Sequence, residues 1–302
     1  MKPVAAKQAV SESAPTALGR LLSLFELDCL APDHYLGQSL DLGYRNLFGG
    51  HILGQALVAA NNTCEDRSVH SLHAYFIRGG DPREPIHYTV DRIRDGKSFS
   101  VRRVTASQAD KAILILSSSF QAGEDGFEHQ IDMPDVPPPE SLARILNGTR
   151  PVPELISAAA EKAVTSSGLA VEIRPVDPLD PYRPEIRPPT QCLWFRADGR
   201  VPDKPALHRC LLAYASDFHF MSTCMRPHGV TYYQSDMVTA SLDHAMWFYR
   251  DFRIDDWLLY ACDSPVAGHA RGLNRGNIYS RDGKLVACVT QEGLFRQIGK
   301  GR

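Results

Sequence analysis

"TASLDHAMWFYRDF", residues 239–252, sets Ser241, Asp243 and His244 within four positions of one another, the three residue types of a serine-hydrolase triad. Its remainder, with Met246, Trp247, Phe248 and Tyr249, is short, apolar and aromatic, which predicts a β-strand and not a helix. Successive side chains of a strand alternate faces. Ser241 and Asp243 are therefore expected on one face with Ala245 and Trp247, and His244 on the opposite face with Leu242 and Met246. A triad needs its base within hydrogen-bond reach of the nucleophile, and its members ordinarily arrive from separate elements. Any partners of Ser241 are thus expected elsewhere in the chain, with Asp243 and His244 in supporting or packing roles.

Read as a strand, the stretch has a counterpart. "SLHAYFIR" at 71–78 matches "SLDHAMWFYR" at 241–250, and "DKAILILSSSF" at 110–120 answers "DGKLVACVTQEG" at 282–293, both offset by about 170 residues. Each copy opens on a helix-like segment, "FGGHILGQALVAANN" (48–62) and "ALHRCLLAYASDFHFM" (206–221), and continues in strand-like runs. A helix and then antiparallel strands, twice over, predicts a duplicated α+β domain in which a helix covers one face of each sheet. The glycines at 49, 50 and 54 leave two readings open. They let the helix lie close to the sheet, or they leave free N–H groups at a helix N-terminus for an anion or a developing oxyanion.

Between the copies, residues 122–206 hold about two-thirds of the 21 prolines. Proline at that density breaks helices and is excluded from central strands, so a long connector is expected. Two segments inside it, "ESLARILNG" (140–148) and "PELISAAAEKAVTSSG" (153–168), have helical composition with a Gly stop. The expected organisation is a flexible N-terminal tail at 1–21, a first repeat at 22–121, a proline-rich linker at 122–190 and a second repeat at 191–302.

The length of 302 residues suits two domains, and a net charge of −2 argues against a nucleic-acid binder, which carries a basic face or stripe. Seven cysteines form no CxxC pair and are odd in number, against a disulfide framework or a zinc site. "HSLH" (70–73) sets its histidines on opposite strand faces, a poor metal site. No run approaches the length of a membrane-spanning helix, the N-terminal residues lack the apolar core of a signal peptide, and "QIGKGR" is not an SKL-type address. A cytoplasmic protein without metal or cofactor is the expectation.

Taken in order, "LFGGHILGQAL", "VHSLHAYFIRGGDPREPI", "RDGKSFSVRRV", "VEIRPVD", "YASDFHF", "RPHG", "SLDHAMWFYRDF", "DDWLLYACDSP", "ARG" and "VTQEGLFR" resemble the type II acyl-CoA thioesterases, bacterial and peroxisomal. The likeness runs from about residue 22 to 297. It implies a double hot-dog fold, each half wrapping a curved antiparallel sheet around a central helix. It also implies hydrolysis of medium- to long-chain fatty acyl-CoA to free acid and CoA, and assembly into a homodimer or homotetramer. In that family an Asp, a Thr or Ser and a Gln activate water, and the matching positions are Asp217 of "YASD", Ser241 of "SLDHAMW" and Gln291 of "VTQEG". Gly49, Gly50 and His51 are candidates for contacting the acyl-CoA substrate, with a surface, helix-capping role open for His51.

The chemistry suits those residue types. A thioester carbonyl has less resonance stabilisation than an amide, so a positioned water, a proton acceptor and oxyanion support suffice. Taken alone, Asp217 also reads as a carboxylate bonded to helix-end backbone, and Ser241 and Gln291 as ordinary strand polars; the family likeness decides against these. The first repeat carries no carboxylate from Ile52 to Cys64, and Ser118 answers Gln291, so one active site per chain is expected. Two rivals are a hot-dog dehydratase or hydratase, for which His219 near Asp217 is the candidate imidazole, and a non-catalytic acyl-CoA-binding protein. An α/β-hydrolase is disfavoured because "GQSLD" and "GKSFS" lack the last glycine of GxSxG.

Overall fold

The structure is a computed structural model, and it describes residues 16–64, 66–144, 170–180, 183–232 and 234–299. The expected linker helix at 153–168 lies outside them, as do residues 1–15 of the expected tail. The helix α1, Ala17–Leu24, begins inside the stretch read as tail because Leu18 and Leu21 are buried; the Thr16 hydroxyl caps it from the Gly19 N–H at 3.0 Å.

Strands β1 (Asp28–Ala31) and β2 (His34–Gly37) precede helix α2 (Gly49–Asn61), and β3 (Ser68–Phe76), β4 (Ile86–Asp95), β5 (Phe99–Gln108) and β6 (Lys111–Gln121) follow it. The second half repeats the plan. Strands β7 (Val171–Pro175) and β8 (Thr190–Ala197) precede helix α3 (Pro205–Ala215). Strands β9 (Met237–Ser241), β10 (Asp243–Phe248), β11 (Leu258–Gly268), β12 (Arg271–Ser280) and β13 (Leu285–Gln297) follow. All thirteen join one antiparallel sheet in the order β1-β2-β4-β5-β6-β3-β10-β13-β12-β11-β8-β7, with β9 laid on β13. The order is a palindrome about the β3–β10 seam, where Ala74 faces His244 and Leu72 faces Met246. This is the double hot-dog. The two "SL" stretches that betray the repeat in the sequence are the two strands that join its halves.

Both helices lie in the interior, which explains the small, apolar all-round composition of α2: every residue from Gly50 to Ala60 is buried. Here the glycines serve a purpose other than closeness to the sheet. A Cβ on Gly50 would stand 2.3 Å from the Tyr214 carbonyl oxygen, and one on Gly54 would stand 3.1 Å from the Cys210 oxygen and 2.6 Å from the Phe25 ring. Glycines four apart share a helix face. They let α2 and α3 touch backbone to backbone. Aromatic rings lock that crossing, with Phe48 4.5 Å from Phe218 and 5.5 Å from Tyr214 between ring centroids.

The connector is in part structural. Trp194, Trp257, Leu259 and Tyr279 form a second apolar cluster with Met133, Val136 and Leu142 packed on it, and Trp194 donates to the Pro137 carbonyl at 2.9 Å. Of the segment 140–148, the turn Pro139–Ser141 is 3-10 helix, and its part from 145 lies outside the described residues. Within the expected linker, Val171–Pro175 forms β7 at the sheet edge, where Pro175 is tolerated. Among the described residues no helix is long and apolar enough to cross a membrane.

Replacing Gly50 by Ala drives a methyl into a backbone oxygen that cannot yield, and a loss of about 1–3 kcal/mol is expected, read as a lower urea midpoint; an unchanged midpoint would contradict the close crossing. The core also encloses His51, His208 and His244, at 0 %, 2 % and 0 % exposure. Burial holds His51 at about 4 and pushes His208 and His244 below the ordinary imidazole range. In the unfolded chain they return to about 6.5, so below that pH the unfolded state binds protons the folded state refuses. Stability is therefore expected to fall as pH falls from about 6.5 towards about 4. Equal urea midpoints at pH 7 and pH 5 would contradict it.

Candidate active site

Asp217, Ser241 and Gln291 meet where the C-terminal end of α3 crosses the N-terminal end of α2. Helix α3 ends at Ala215 with Ser216 as its C-cap, and the chain then turns sharply through His219, whose φ is +58°. Gln191 on β8 holds that turn, its side-chain N–H donating to the His219 carbonyl at 2.8 Å. Asp217 is left half-buried at the crossing. Its Oδ2 accepts the Gly50 backbone N–H at 2.9 Å, so one N–H at the positive end of α2 is spent on the carboxylate. Gly49 leaves room for this. A Cβ there would stand 2.7 Å from Asp217 Oδ2 and 3.1 Å from the Phe76 ring.

Gln291, fully buried on β13, uses both N–H groups of its amide: one donates to Asp217 Oδ1 at 3.1 Å, the other to Ser241 Oγ at 2.7 Å. With that bond accepted, the Ser241 hydroxyl keeps its own proton to donate. Among the described residues it faces the soft sulfur of Met221 at 3.9 Å. The three residues expected to act together therefore form one hydrogen-bonded group.

The strand alternation expected through "TASLDHAMWF" fails, and the failure brings in a residue that periodicity had excluded. Ser241 pairs with Gly293 and Ala245 with Thr290, so three residues on one side, 242 to 244, oppose two on the other. This is a β-bulge. The Leu242 N–H still reaches the Glu292 carbonyl at 3.0 Å, and Asp243 Oδ1 takes the Glu292 N–H at 2.7 Å. The extra residue flips the parity, so the inward set runs Thr239, Ser241, then His244, Met246 and Phe248. His244 does not lie on the far face. Its Nδ1 is 2.9 Å from Gln291 Oε1 and its Nε2 is 2.9 Å from Ser216 Oγ. The sequence signal lay only in "SLD": an Asp able to hold an orphaned backbone N–H beside the expected serine.

His51 is neither a surface residue nor a cap. It is enclosed on α2, with Nε2–H donating to the Gln38 carbonyl at 3.0 Å and Nδ1 without a hydrogen-bond partner among the described residues. His219 turns its Nδ1 to the Tyr232 hydroxyl at 3.1 Å.

The palindrome lays out the matching place in the first half. Thr63, two residues past the end of α2, stands where Asp217 stands past α3, and Ser118 stands on β6 as Gln291 does on β13. Arg102, the cross-strand neighbour of Ser118 as Asn274 is of Gln291, fills the space. Its guanidinium donates to Thr63 Oγ1 at 2.8 Å, to the Thr63 carbonyl at 3.0 Å and to Asp95 at 2.7 Å. Ser118 Oγ is buried with no partner among the described residues. The site and its mate share a scaffold and no chemistry.

Comparison with known proteins agrees with this architecture over nearly the whole chain. A family model described as acyl-CoA thioesterase matches residues 171–294, and one described as acyl-CoA thioesterase N-terminal domain matches residues 40–121. Acyl-coenzyme A thioesterase 8 of Mus musculus is 42% identical over 283 residues, which is 91% of this chain and 88% of that protein. Acyl-CoA thioesterase 2 of Haemophilus influenzae is 39% identical over 286 residues, 92% of this chain and 98% of that protein. The crystal structure of the acyl-CoA thioesterase II TesB2 from Mycobacterium marinum superposes with a TM-score of 0.74 at 38% identity, covering 93% of this chain and 100% of that one. By sequence, fold and extent of match, the chain belongs to the acyl-CoA thioesterase family and is a thioesterase II hydrolase.

Proposed function

We propose that this enzyme hydrolyses medium- to long-chain fatty acyl-CoA, and that Asp217, Ser241 and Gln291 hold and activate the attacking water. The observation that carries the reading is the Gln291 amide bonded at once to Asp217 and to Ser241. A water seated between the carboxylate and the hydroxyl donates one proton to Asp217 and accepts the Ser241 proton, which aims its remaining lone pair outward. Attack on the thioester carbon passes the water proton to Asp217. The tetrahedral intermediate then expels the CoA sulfur, and the proton on Asp217 passes to it, leaving a carboxylic acid and a thiol. A thiolate leaves readily, thiols being acidic on the scale of the cysteine side chain, whose pKa is about 8.5. The departing group therefore needs little acid assistance, and one carboxylate can serve both halves of the reaction.

The developing oxyanion is assigned to the N-terminal end of α2 at Gly49, where the helix dipole is positive, the Gly50 N–H being held by Asp217. Phe48, Phe76 and Phe218 around this end offer an acyl chain apolar surface. The dehydratase alternative needs an imidazole on the carboxylate, whereas His219 is bonded to Tyr232 and His244 to Gln291.

Release of free CoA from a panel of saturated acyl-CoAs, followed with a thiol reagent, is expected to peak at medium to long chains. Asp217→Asn is expected to lower kcat by about 10³-fold, within the range for a lost general base, with an unchanged circular dichroism spectrum. Wild-type kcat in that variant would overturn the assignment of Asp217. Formation of enoyl-CoA from 3-hydroxyacyl-CoA without thiol release would overturn the hydrolytic reading.

A further inference from the structure

We propose that His244 is a positioning residue for the hydrolysis: with its proton on Nδ1, it fixes the Gln291 side-chain amide in the one rotation that sends both N–H groups to Asp217 and Ser241. The inference rests on the Asp217, Ser241 and Gln291 reading above.

A glutamine amide turned by half a rotation has nearly the same shape, with oxygen and nitrogen exchanged, so packing does not select between the two. Hydrogen bonds do. In the observed rotation the amide nitrogen serves Asp217 Oδ1 at 3.1 Å and Ser241 Oγ at 2.7 Å, and Oε1 lies 2.9 Å from His244 Nδ1. An amide oxygen only accepts, so Nδ1 must carry a hydrogen. Ser216 Oγ, 2.9 Å from Nε2 and 2.9 Å from the Ala213 carbonyl, can complete either tautomer, donating to the ring or accepting from it. Ser216 therefore leaves the tautomer open, and the Nδ1–H tautomer and the observed amide rotation require each other.

With hydrogen on Nε2 instead, a bare Nδ1 would invite the amide nitrogen. The amide oxygen would then turn against the Asp217 carboxylate, and Ser241 would spend its proton on that oxygen instead of on water. The imidazolium is disfavoured where the ring sits. His244 is fully buried, and burial lowers its proton affinity, against the pull of Asp217 from the turn after α3 and of Asp243 on its own strand. Tyr260 of β11 also lies on this side, its hydroxyl donating to the Ser216 carbonyl at 3.2 Å, and the Phe220 ring packs edge-on to the imidazole with centroids 6.1 Å apart. A neutral ring with one allowed tautomer thus works as a key that reads the amide.

Nitrogen-15 NMR of the histidine-labelled wild-type enzyme tests the tautomer, the signal being assigned by its loss in His244→Asn. A neutral ring protonated on Nδ1 is expected at pH 7; the Nε2–H tautomer or an imidazolium there overturns the proposal. Kinetics test the consequence. His244→Leu is expected to lower kcat by about 10²-fold, the scale of a misplaced reacting group, with KM unchanged. His244→Asn places an amide N–H near the position of Nδ1 and is expected to keep kcat within about tenfold of wild type. Because His244 acts through Gln291, adding His244→Leu to Gln291→Ala is expected to cost no further kcat. Wild-type kcat in His244→Leu, or full additivity in the double variant, overturns the proposal. If His244→Leu does not fold, the wild-type tautomer and His244→Asn decide. Activity retained by Asp217→Asn and Gln291→Ala would instead remove the reading on which the inference rests.

Discussion

The hydrogen bond from the Gly50 N–H to Asp217 Oδ2 crosses from one repeat to the other, and the site exists only where that crossing is close. It needs a helix with no side chain at Gly49 and Gly50, a second helix whose last carbonyls can lie against it, and a chain that turns immediately after Ala215. The ring stack of Phe48, Tyr214 and Phe218 holds the two helix ends at that separation. The carboxylate is fixed from both sides, by a backbone donor of the first half and a side-chain donor of the second. Neither half can assemble this alone, which is the physical sense in which the duplicated chain is one enzyme.

The pseudo-symmetry also explains why the proposed site occupies one end of the helix pair. A palindromic sheet offers two equivalent crossings, and a carboxylate at one demands nothing of the other. At the second crossing Arg102 is bound by Thr63 and Asp95, so the space where a water would be held is taken by a guanidinium with its bonds satisfied. One crossing carries the proposed site and the other is filled, and both keep the halves together.

Much of this is legible in the sequence, for a definite reason. Helix and strand signals come from periodicity and composition, and a duplicated chain states them twice; hence "SLHAYFIR" and "SLDHAMWFYR", matched to each other as text, are the two strands that meet at the seam of the sheet. Asp217, Ser241 and Gln291 are marked only by the resemblance to the thioesterase family, carried over position by position, since each alone reads as an ordinary structural polar residue. What local pattern could not carry is the bulge at Leu242 and Asp243, since one inserted residue reverses the parity of all that follows, and His244 with it. The role of Gly50 and Gly54 was hidden likewise, because which element a bare helix face will meet is a fact of tertiary packing.

In the proposed mechanism water, and not a protein side chain, attacks the thioester. The direct measurement is to quench the enzyme with acid during turnover of a long-chain acyl-CoA and to search its peptides for acylation by mass spectrometry. Unmodified peptides around both Ser241 and Asp217 are expected throughout the approach to steady state. An acyl group trapped on either residue, formed and consumed at the rate of turnover, would contradict the mechanism.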